Sequence, residues 1–481
     1  MRSITDKMMD FKRLEEIIYQ ECCQAACEAM AAILEARDEE LRQARDKKKY
    51  RYVNKRQTTI KTKMGEVSYK RICYRVEDGE GKRYEFLLDK ELGSRSEYGL
   101  ISTALADRIV NECMDKSYRK AAKSISELTG QSISHGGAWN LVQRSGELVR
   151  EQEKRLEEQR QAEVVSGEVE SQVLFEELDG IWLSMQGKDR PKKGRKRELK
   201  IATGYAGWKE TSKGRYETVE KVAYAGFDKS HEFYSKWEAV LASRYNTDEI
   251  EARVLNGDGA SWIRGTDEDV TTQLDPFHRG RAVIGGISDK EERKKVFALI
   301  RDKNVQELLR HLEALHKAAP EGREAKKIKE LLDYFTSNKD SLLTWEERGV
   351  ELPTPPEGVV YRRLGTQEHS NCDIIAQRMK HRKASWSIQG GGNMAKLLAY
   401  RATNGLDKIL APIRTSDFLS QEIRKPLSVA AAPKFDGKGT ESGLPHGGMP
   451  FEDAFLTNGR KAIRNLLAYK PVSSLAFLQG S

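Results

Sequence analysis

The stretch Leu174-Phe175-Glu176-Glu177-Leu178-Asp179-Gly180-Ile181-Trp182-Leu183 constrains the fold more than any other. A run this short and this apolar fits a core strand. Asp179 sits inside it among Leu174, Phe175, Leu178, Ile181, Trp182 and Leu183. A lone buried carboxylate is very costly, so it requires compensation. Asp179 either meets a hydrogen-bonded cation or holds a metal ion at a sheet edge. The plainer alternative is an Asp that caps a turn at Gly180.

A second Asp-Gly strand end sharpens the choice. The order from residue 171 to 280 reads as three antiparallel strands, a helix and two further strands. Strand one carries Asp179. Two strands follow at Arg197–Trp208 and Tyr216–Phe227, then a helix at Ser230–Tyr245 with Phe233, Trp237, Val240 and Leu241. Strand four is Ala252–Asp258 and strand five Val270–Asp275. Strands one and four can lie side by side, which puts Asp179 and Asp258 within reach of one ion. Two carboxylates repel unless a cation joins them. Mg²⁺ is the natural ion for few carboxylates plus phosphate oxygens.

The N-terminal third reads differently. Residues 8–46 form one long amphipathic helix, with Phe11, Leu14, Ile17, Ile18, Cys22, Ala25, Ala26, Met30, Ile33 and Leu34 at three- and four-residue steps. Residues 57–88 change to a period of two, with turns at Met64-Gly65 and Asp78–Gly81 and a third strand at Tyr84–Leu88. This small antiparallel meander is rich in Lys, Arg and Thr, which suits DNA or plain solvent. Residues 100–149 carry a helix-turn-helix pattern: one helix over 101–113, a second from Ser117, Gly130 at its C-cap, and a third capped by Ser132 or Ser134. The third helix offers His135, Asn140, Gln143 and Arg144 to a major groove, since Asn and Gln read adenine and Arg reads guanine. The alternative is a small helical bundle without DNA contact.

Between the first two strands of the core, residues 188–200 hold eight Lys or Arg against two acids. Lys192, Lys193, Arg195, Lys196 and Arg197 are candidates for gripping phosphates; a solvated hairpin is the default. Residues 285–347 are helical and charged, and Leu352–Glu357 is a linker. Thr366 is placed to cap a helix with Ile374, Ile375 and Met379, and Glu368 falls in its first turn. Trp386–Asn393 reads as a glycine-rich loop before a helix at Met394–Arg401; it is no P-loop, because no Gly-Lys-Ser/Thr follows. Residues 413–481 read as a partly ordered tail with one short helix near Arg460–Tyr469.

Composition sets the limits. The 481 residues exceed one ordinary core. Lys and Arg outnumber Asp and Glu by 83 to 74, a lean toward a polyanionic partner. The N-terminus has no apolar signal region, and no run approaches the roughly 18 apolar residues of a membrane span. Six cysteines do not make a disulfide scaffold in such a chain, so reduced thiols and a cytoplasmic location are expected. Cys22, Cys23 and Cys27 lack metal-finger spacing and read as small apolar side chains.

The motifs Leu178-Asp179-Gly180, Asn256-Gly257-Asp258-Gly259-Ala260-Ser261-Trp262, Asp275-Pro276-Phe277-His278 and the later Glu368 resemble those of bacterial insertion-sequence transposases of the DDE type, in the Lre branch related to Mutator-like transposases. The likeness extends over the Gly65 meander, Tyr84–Asp89, Ser117–Ala122 and the core to about Arg401. It implies an α/β fold: a ribonuclease H-like core interrupted by a helical insertion, behind an α+β N-terminal region. The domains would be 1–98 (helix and small sheet), 99–150 (helix-turn-helix), 171–284 and 351–412 (core), 285–350 (insertion) and 413–481 (tail). It further implies a metal triad of Asp179, Asp258 and Glu368. His278 would orient a carboxylate or a phosphate in a catalytic supporting role, though a core histidine bonded to backbone fits equally. Glu351 and Glu357 are nearby alternatives to Glu368, but they flank the Pro-rich linker. The activity implied is Mg²⁺-dependent cutting and joining of double-stranded DNA, with Mn²⁺ as a possible substitute. Terminal inverted repeats and target DNA would be the partners, and a homo-oligomer would pair the ends. The rival readings are a ribonuclease H-like nuclease that does not transpose and a catalytically silent DNA-binding relative.

Overall fold

The computed structural model describes residues 10–78, 81–92, 101–263, 270–365, 370–381 and 384–404. The chain divides into two compact units, with the boundary between Leu141 and Val142.

The first unit begins with α1 (Phe11–Ala44), followed by β1 (Tyr50–Lys61), β2 (Glu66–Asp78), β3 (Gly81–Glu85) and α2 (Leu87–Leu92). The three strands form one antiparallel sheet in the order β1-β2-β3. The apolar stripe of α1 explains its docking: Cys27, Met30, Ala31, Leu34 and Leu41 pack with Val67, Tyr69 and Leu88. Two helix carboxylates also serve the sheet. Glu35 accepts from the Lys70 amide at 2.7 Å and Asp38 from the Ile72 amide at 2.6 Å. These are strand amides that would otherwise stand unpaired. The expected third strand over 84–88 starts earlier and stops at Glu85; Leu87 and Leu88 belong to α2, where Leu88 fills the core beneath α1. Next come α3 (Thr103–Asp115), α4 (Tyr118–Thr129) and α5 (His135–Gln161). Ser117 caps α4 by accepting from the Lys120 amide, Gly130 ends it in the left-handed region, and Ser134 accepts from the Gly137 amide at 2.9 Å. The unit boundary falls inside α5, which also absorbs the charged stretch 150–161.

The second unit contains β4 (Val173–Ser184), β5 (Lys196–Tyr205), β6 (Gly207–Ser212), β7 (Arg215–Val219), β8 (Val222–Gly226), α6 (Ser230–Ala242), β9 (Ala252–Gly257) and β10 (Val270–Leu274). Five of the strands form a mixed sheet in the order β10-β9-β4-β5-β8. β9 runs parallel to β4 and β10 parallel to β9, whereas β5 is antiparallel to both of its neighbours. The sequence reading merged β5 with β6 and β7 with β8. The chain breaks at Gly207 (φ +142°) and Glu220 (φ +53°), so β6 and β7 peel away as a separate two-stranded sheet. Gly207 suits the break because an added Cβ would lie 2.6 Å from a Val359 methyl.

Apolar layers cover both faces of the mixed sheet. Leu174, Leu178, Tyr224 and Leu255 meet Phe233, Trp237 and Leu241 of α6 on one face. Val173, Phe175, Tyr205, Trp208 and Val254 cluster with Leu364 on the other. Trp182 departs from the expected core role and is half exposed. Four helices follow β10: α7 (Pro276–Gly286), α8 (Lys290–Arg301), α9 (Val305–Ala318) and α10 (Arg323–Ser337), with their own core built on Val283, Val296, Leu308, Leu312, Leu331 and Phe335. A helical stretch, π-type over Cys372–Ala376, buries Ile374, Ile375 and Met379. The last described element is α11 (Ile388–Asn404). The expected glycine-rich loop is its first turn: Gly390, Gly391 and Gly392 are buried in the helix. A Cβ on Gly391 would stand 3.0 Å from Cβ of Trp386 and 3.3 Å from the Phe227 ring, so the glycines admit close packing and no phosphate. The tail beyond 404 lies outside the described residues.

Candidate functional site

The site begins with strand register. Leu178 of β4 pairs with Gly257 of β9. Asp179 follows Leu178 within β4 and Asp258 follows Gly257, the last residue of β9, so the two aspartates stand at adjacent positions of neighbouring parallel strands. Adjacent strands lie about 4.8 Å apart. The end where parallel strands finish is the usual place for ligands in α/β sheets. Asp179 is 7% exposed, and one of its oxygens accepts from the Gly180 amide at 2.7 Å. Its other oxygen accepts from Nδ2 of Asn371. Asp258 is half-buried; its Oδ1 accepts from the Ala260 amide at 2.8 Å, and its carbonyl accepts from the Tyr334 hydroxyl at 2.6 Å. Burial keeps that phenol above its ordinary pKa and therefore neutral, a donor.

One rung beneath the pair lies a buried polar row. Glu177, Asn256 and Gln273 stand opposite one another on β4, β9 and β10. Asn256 Nδ2 donates to Glu177 (3.2 Å) and to Asp275 (2.8 Å), while Gln273 donates to Asn256 Oδ1 (3.0 Å). Tyr205 donates to Glu177 at 2.5 Å from β5. Each of the three row residues stands two positions before an aspartate: Asp179, Asp258 or Asp275. The row therefore fixes the level of those aspartates along their strands. Donors from three directions satisfy the buried Glu177 carboxylate, as buried charges require.

Asp275 has another occupation. It caps α7, accepting from the Phe277 amide at 2.8 Å and the His278 amide at 3.1 Å, with Pro276 in the first turn. Asp275 thus has a local structural role, whereas the cap uses only the backbone of His278 and leaves its side chain unexplained. His278 lines a cleft of about 460 Å³ with Asp258, Arg281, Lys327, Glu330 and Tyr334.

Glu368 lies outside the described residues, as does the proposed cap Thr366. The chain on either side of them is tied to β4. The Gly365 amide donates to Glu177 at 3.2 Å, and Asn371 donates to Asp179. Lys221 also reaches this segment, donating to Ser370 Oγ at 3.0 Å. Desolvation lowers the Lys221 pKa, and Glu177 and Asp373 oppose that shift.

Among the described residues no three His, Cys, Asp or Glu side chains are grouped to hold a metal ion. Asp179 and Asp258 form a two-carboxylate set. Such a set suits Mg²⁺, which keeps several waters and takes one or two carboxylates together with phosphate oxygens.

The candidate nucleic-acid contacts divide. His135 and Asn140 are exposed on α5. Arg144 lies 3.8 Å from Glu147 and 3.6 Å from Glu151. Gln143 corrects the expectation: it is 7% exposed, and its side chain and carbonyl both accept from Asn393 of α11. A helix face that meets α11 cannot face a groove. Lys192, Lys193, Arg195, Lys196 and Arg197 are all exposed in the turn before β5 and at its start.

Sequence reasoning missed Glu177, Asn256, Lys221 and Asn371. The signal for Glu177 was present: Glu176-Glu177 interrupts the same apolar strand as Asp179. Glu176 is a structural group, held by Trp237 Nε1 (2.7 Å) and Arg253 Nε (2.8 Å), and burial pushes its pKa up against the pull of Arg253.

A mixed α/β protein with paired carboxylates at a parallel strand end is thus defined. Comparison with known proteins places it more narrowly. The chain belongs to UPF0236, an uncharacterised protein family whose pattern matches residues 4–410. It is 26% identical over 388 residues to a UPF0236 protein of Caldanaerobacter subterraneus subsp. tengcongensis, covering 79% of this chain and 76% of that one. A second protein of that organism, whose name joins eleven locus designations, is 25% identical over 388 residues (79% and 75%). The UPF0236 protein in the vanSb 3′ region of Streptococcus gallolyticus is 24% identical over 356 residues, or 72% of each chain. No described helix is long and apolar enough to cross a membrane.

Proposed function

We propose that this protein is a DDE-type transposase with a ribonuclease H-like core, cutting and joining DNA strands with Mg²⁺. The observation that carries the reading is the juxtaposition of Asp179, within β4, and Asp258, just past the end of the parallel neighbour β9. The strand order β10-β9-β4-β5-β8, in which only β5 runs against the others, supports the ribonuclease H-like core. The helices α7–α10, between Asp258 and residue 368, supply the expected insertion. The anchoring of Gly365 and Asn371 on β4 supports Glu368 as the third carboxylate. A relative whose name joins eleven locus designations in one organism is what a self-copying element would leave.

The roles follow from the chemistry. Asp179, Asp258 and Glu368 would hold the ion, and bound Mg²⁺ supplies activation of the attacking oxygen and neutralisation of the leaving one. Asn371 and the Gly180 amide orient Asp179, and the Ala260 amide orients Asp258. No side chain forms a covalent intermediate. Helices α3, α4 and the start of α5 would act as a helix-turn-helix on the element ends, reading bases with His135 and Asn140. The Lys192–Arg197 turn would hold backbone phosphates.

The test is strand cleavage of linear DNA bearing the element's own ends, with Mg²⁺ and with chelator. Asp179→Asn and Asp258→Asn should each lower the cutting rate on the order of a thousandfold, equivalent to several kcal/mol of transition-state stabilisation, with end-binding retained. Cutting that survives either substitution overturns the site. Cutting without joining would identify a nuclease, and wild-type binding without cutting a silent relative.

A further inference from the structure

Besides the basic turn at residues 188–200, this chain carries a longer stretch of surplus positive charge. From Arg45 to Arg75 stand twelve Lys or Arg against two acids, Asp46 and Glu66. That surplus of ten exceeds the net +9 of the whole chain, so everything else is close to neutral. The stretch is the turn after α1, strand β1 and most of β2.

Strand β1 lies at the edge of its sheet, and Arg51 to Gln57 are exposed without interruption. Its twelve residues include no Asp or Glu. The register shift between Tyr52 and Asn54 leaves Arg51, Asn54 and Arg56 on one face and Tyr52, Lys55 and Gln57 on the other. Among the described residues no acid forms an ion pair with the side chains of Lys47, Lys48, Arg51, Arg56, Lys63 or Lys70, although Glu35 and Asp46 accept from the Lys70 and Lys48 amides. Two exposed tyrosines, Tyr52 and Tyr84, and Val53 accompany them. Two other cations of the stretch are committed, Arg71 buried against Asp89 and Lys61 donating to the Ser132 carbonyl, whereas the exposed Lys55 lies 3.7 Å from Glu39, a weak solvent-screened pair that leaves it available.

A solvated edge strand needs charge to prevent pairing with other chains. Lysine at a few edge positions serves that purpose, yet here the bases run on through the Lys47–Lys49 turn and include Arg51 and Arg56. A surplus of one sign, spread over the Lys47–Lys49 turn and an exposed strand segment about 23 Å long, matches an evenly charged polyanion. We propose that β1 and the Lys47–Lys49 turn are a docking surface for the phosphate backbone of duplex DNA, without base recognition. The inference rests on charge and exposure, not on the Asp179–Asp258 pair. DNA is the partner favoured, because an extended strand can lie along a duplex; RNA and anionic membranes are outcomes of the test.

The experiment measures binding of the full chain to a duplex of unrelated sequence over a range of salt. The triple substitution Arg51→Gln, Lys55→Gln, Arg56→Gln should flatten the slope of log K against log salt by about two to three, since each phosphate contact adds close to one. It should weaken all duplexes alike. Cutting at saturating protein, and the preference for element ends over unrelated DNA, should stay as in wild type. The charge-keeping triple Arg51→Lys, Lys55→Arg, Arg56→Lys should restore the slope, and circular dichroism should show both variants folded. An unchanged slope overturns the inference. So does wild-type binding only to RNA or to phosphatidylserine vesicles. Failure of the wild type to cut, with this slope change intact, would instead defeat the transposase reading alone.

Discussion

At the scale of the residue, burial decides what each carboxylate does. Asp38 of α1 is 2% exposed; one oxygen accepts from the Ile72 amide, and the other has no hydrogen-bond partner among the described residues. Desolvation outweighs that single bond and raises its pKa from 3.8 to about 6. Between those values the folded chain binds more protons than the unfolded one. Stability contributed by this group is therefore present at low pH and lost as pH rises from about 4 to about 6. Melting temperatures across that window should fall in wild type relative to Asp38→Asn, whose side chain can still accept from Ile72. Parallel curves would show that Asp38 titrates normally. Asp275 is the opposite case, a carboxylate with donors on both oxygens. Asp275→Ala removes a helix cap and strands Asn256, so denaturant unfolding should report a loss of about 2–4 kcal/mol. A loss under about 1 kcal/mol would mean that the polar row repairs itself.

At the scale of the element, two long helices of the second unit meet through small residues. An added Cβ on Gly146 of α5 would lie 2.5 Å from Cβ of Asn393 and 2.8 Å from its backbone. Asn393 in turn bonds Gln143 of the same helix. Gly146→Ala gains helix propensity, but it must separate backbones that do not yield cheaply. A net cost of about 1–3 kcal/mol is expected from thermal or urea unfolding. A stabilised variant would show that the crossing has room. Elements with a strong period were legible in the sequence: α1, the caps at Ser117 and Gly130, α6, β9 and β10. Those set by long-range contact were not. Nothing local marks Leu87-Leu88 as helical rather than strand. The triple glycine before Asn393 has the composition of a loop and became a buried helix turn, because only glycine lets Trp386 and Phe227 approach so closely.

At the scale of the whole molecule, the paired aspartates were legible because an acid in an apolar strand is an anomaly that demands a partner. Their support was not. The Glu177–Asn256–Gln273 row joins strands 79 and 17 residues apart, and only the register brings those amides and carboxylates level. The clustering of basic residues over Arg45–Arg75 was also hidden, since a net charge of +9 says nothing of where the charge lies. The Asn371–Asp179 bond spans 192 residues of sequence. Such a contact brings its reward only after a long loop has closed, so it forms late. During synthesis β4, β9 and β10 can pair and the four helices α7–α10 can fold before residue 371 leaves the ribosome. The aspartate pair is then present but unbraced. A chain cut short after α10 would carry both aspartates and all of the Arg45–Arg75 charge, yet would lack the clasp that holds Asp179. A truncated product would therefore keep the basic stretch intact together with an aspartate pair that nothing braces.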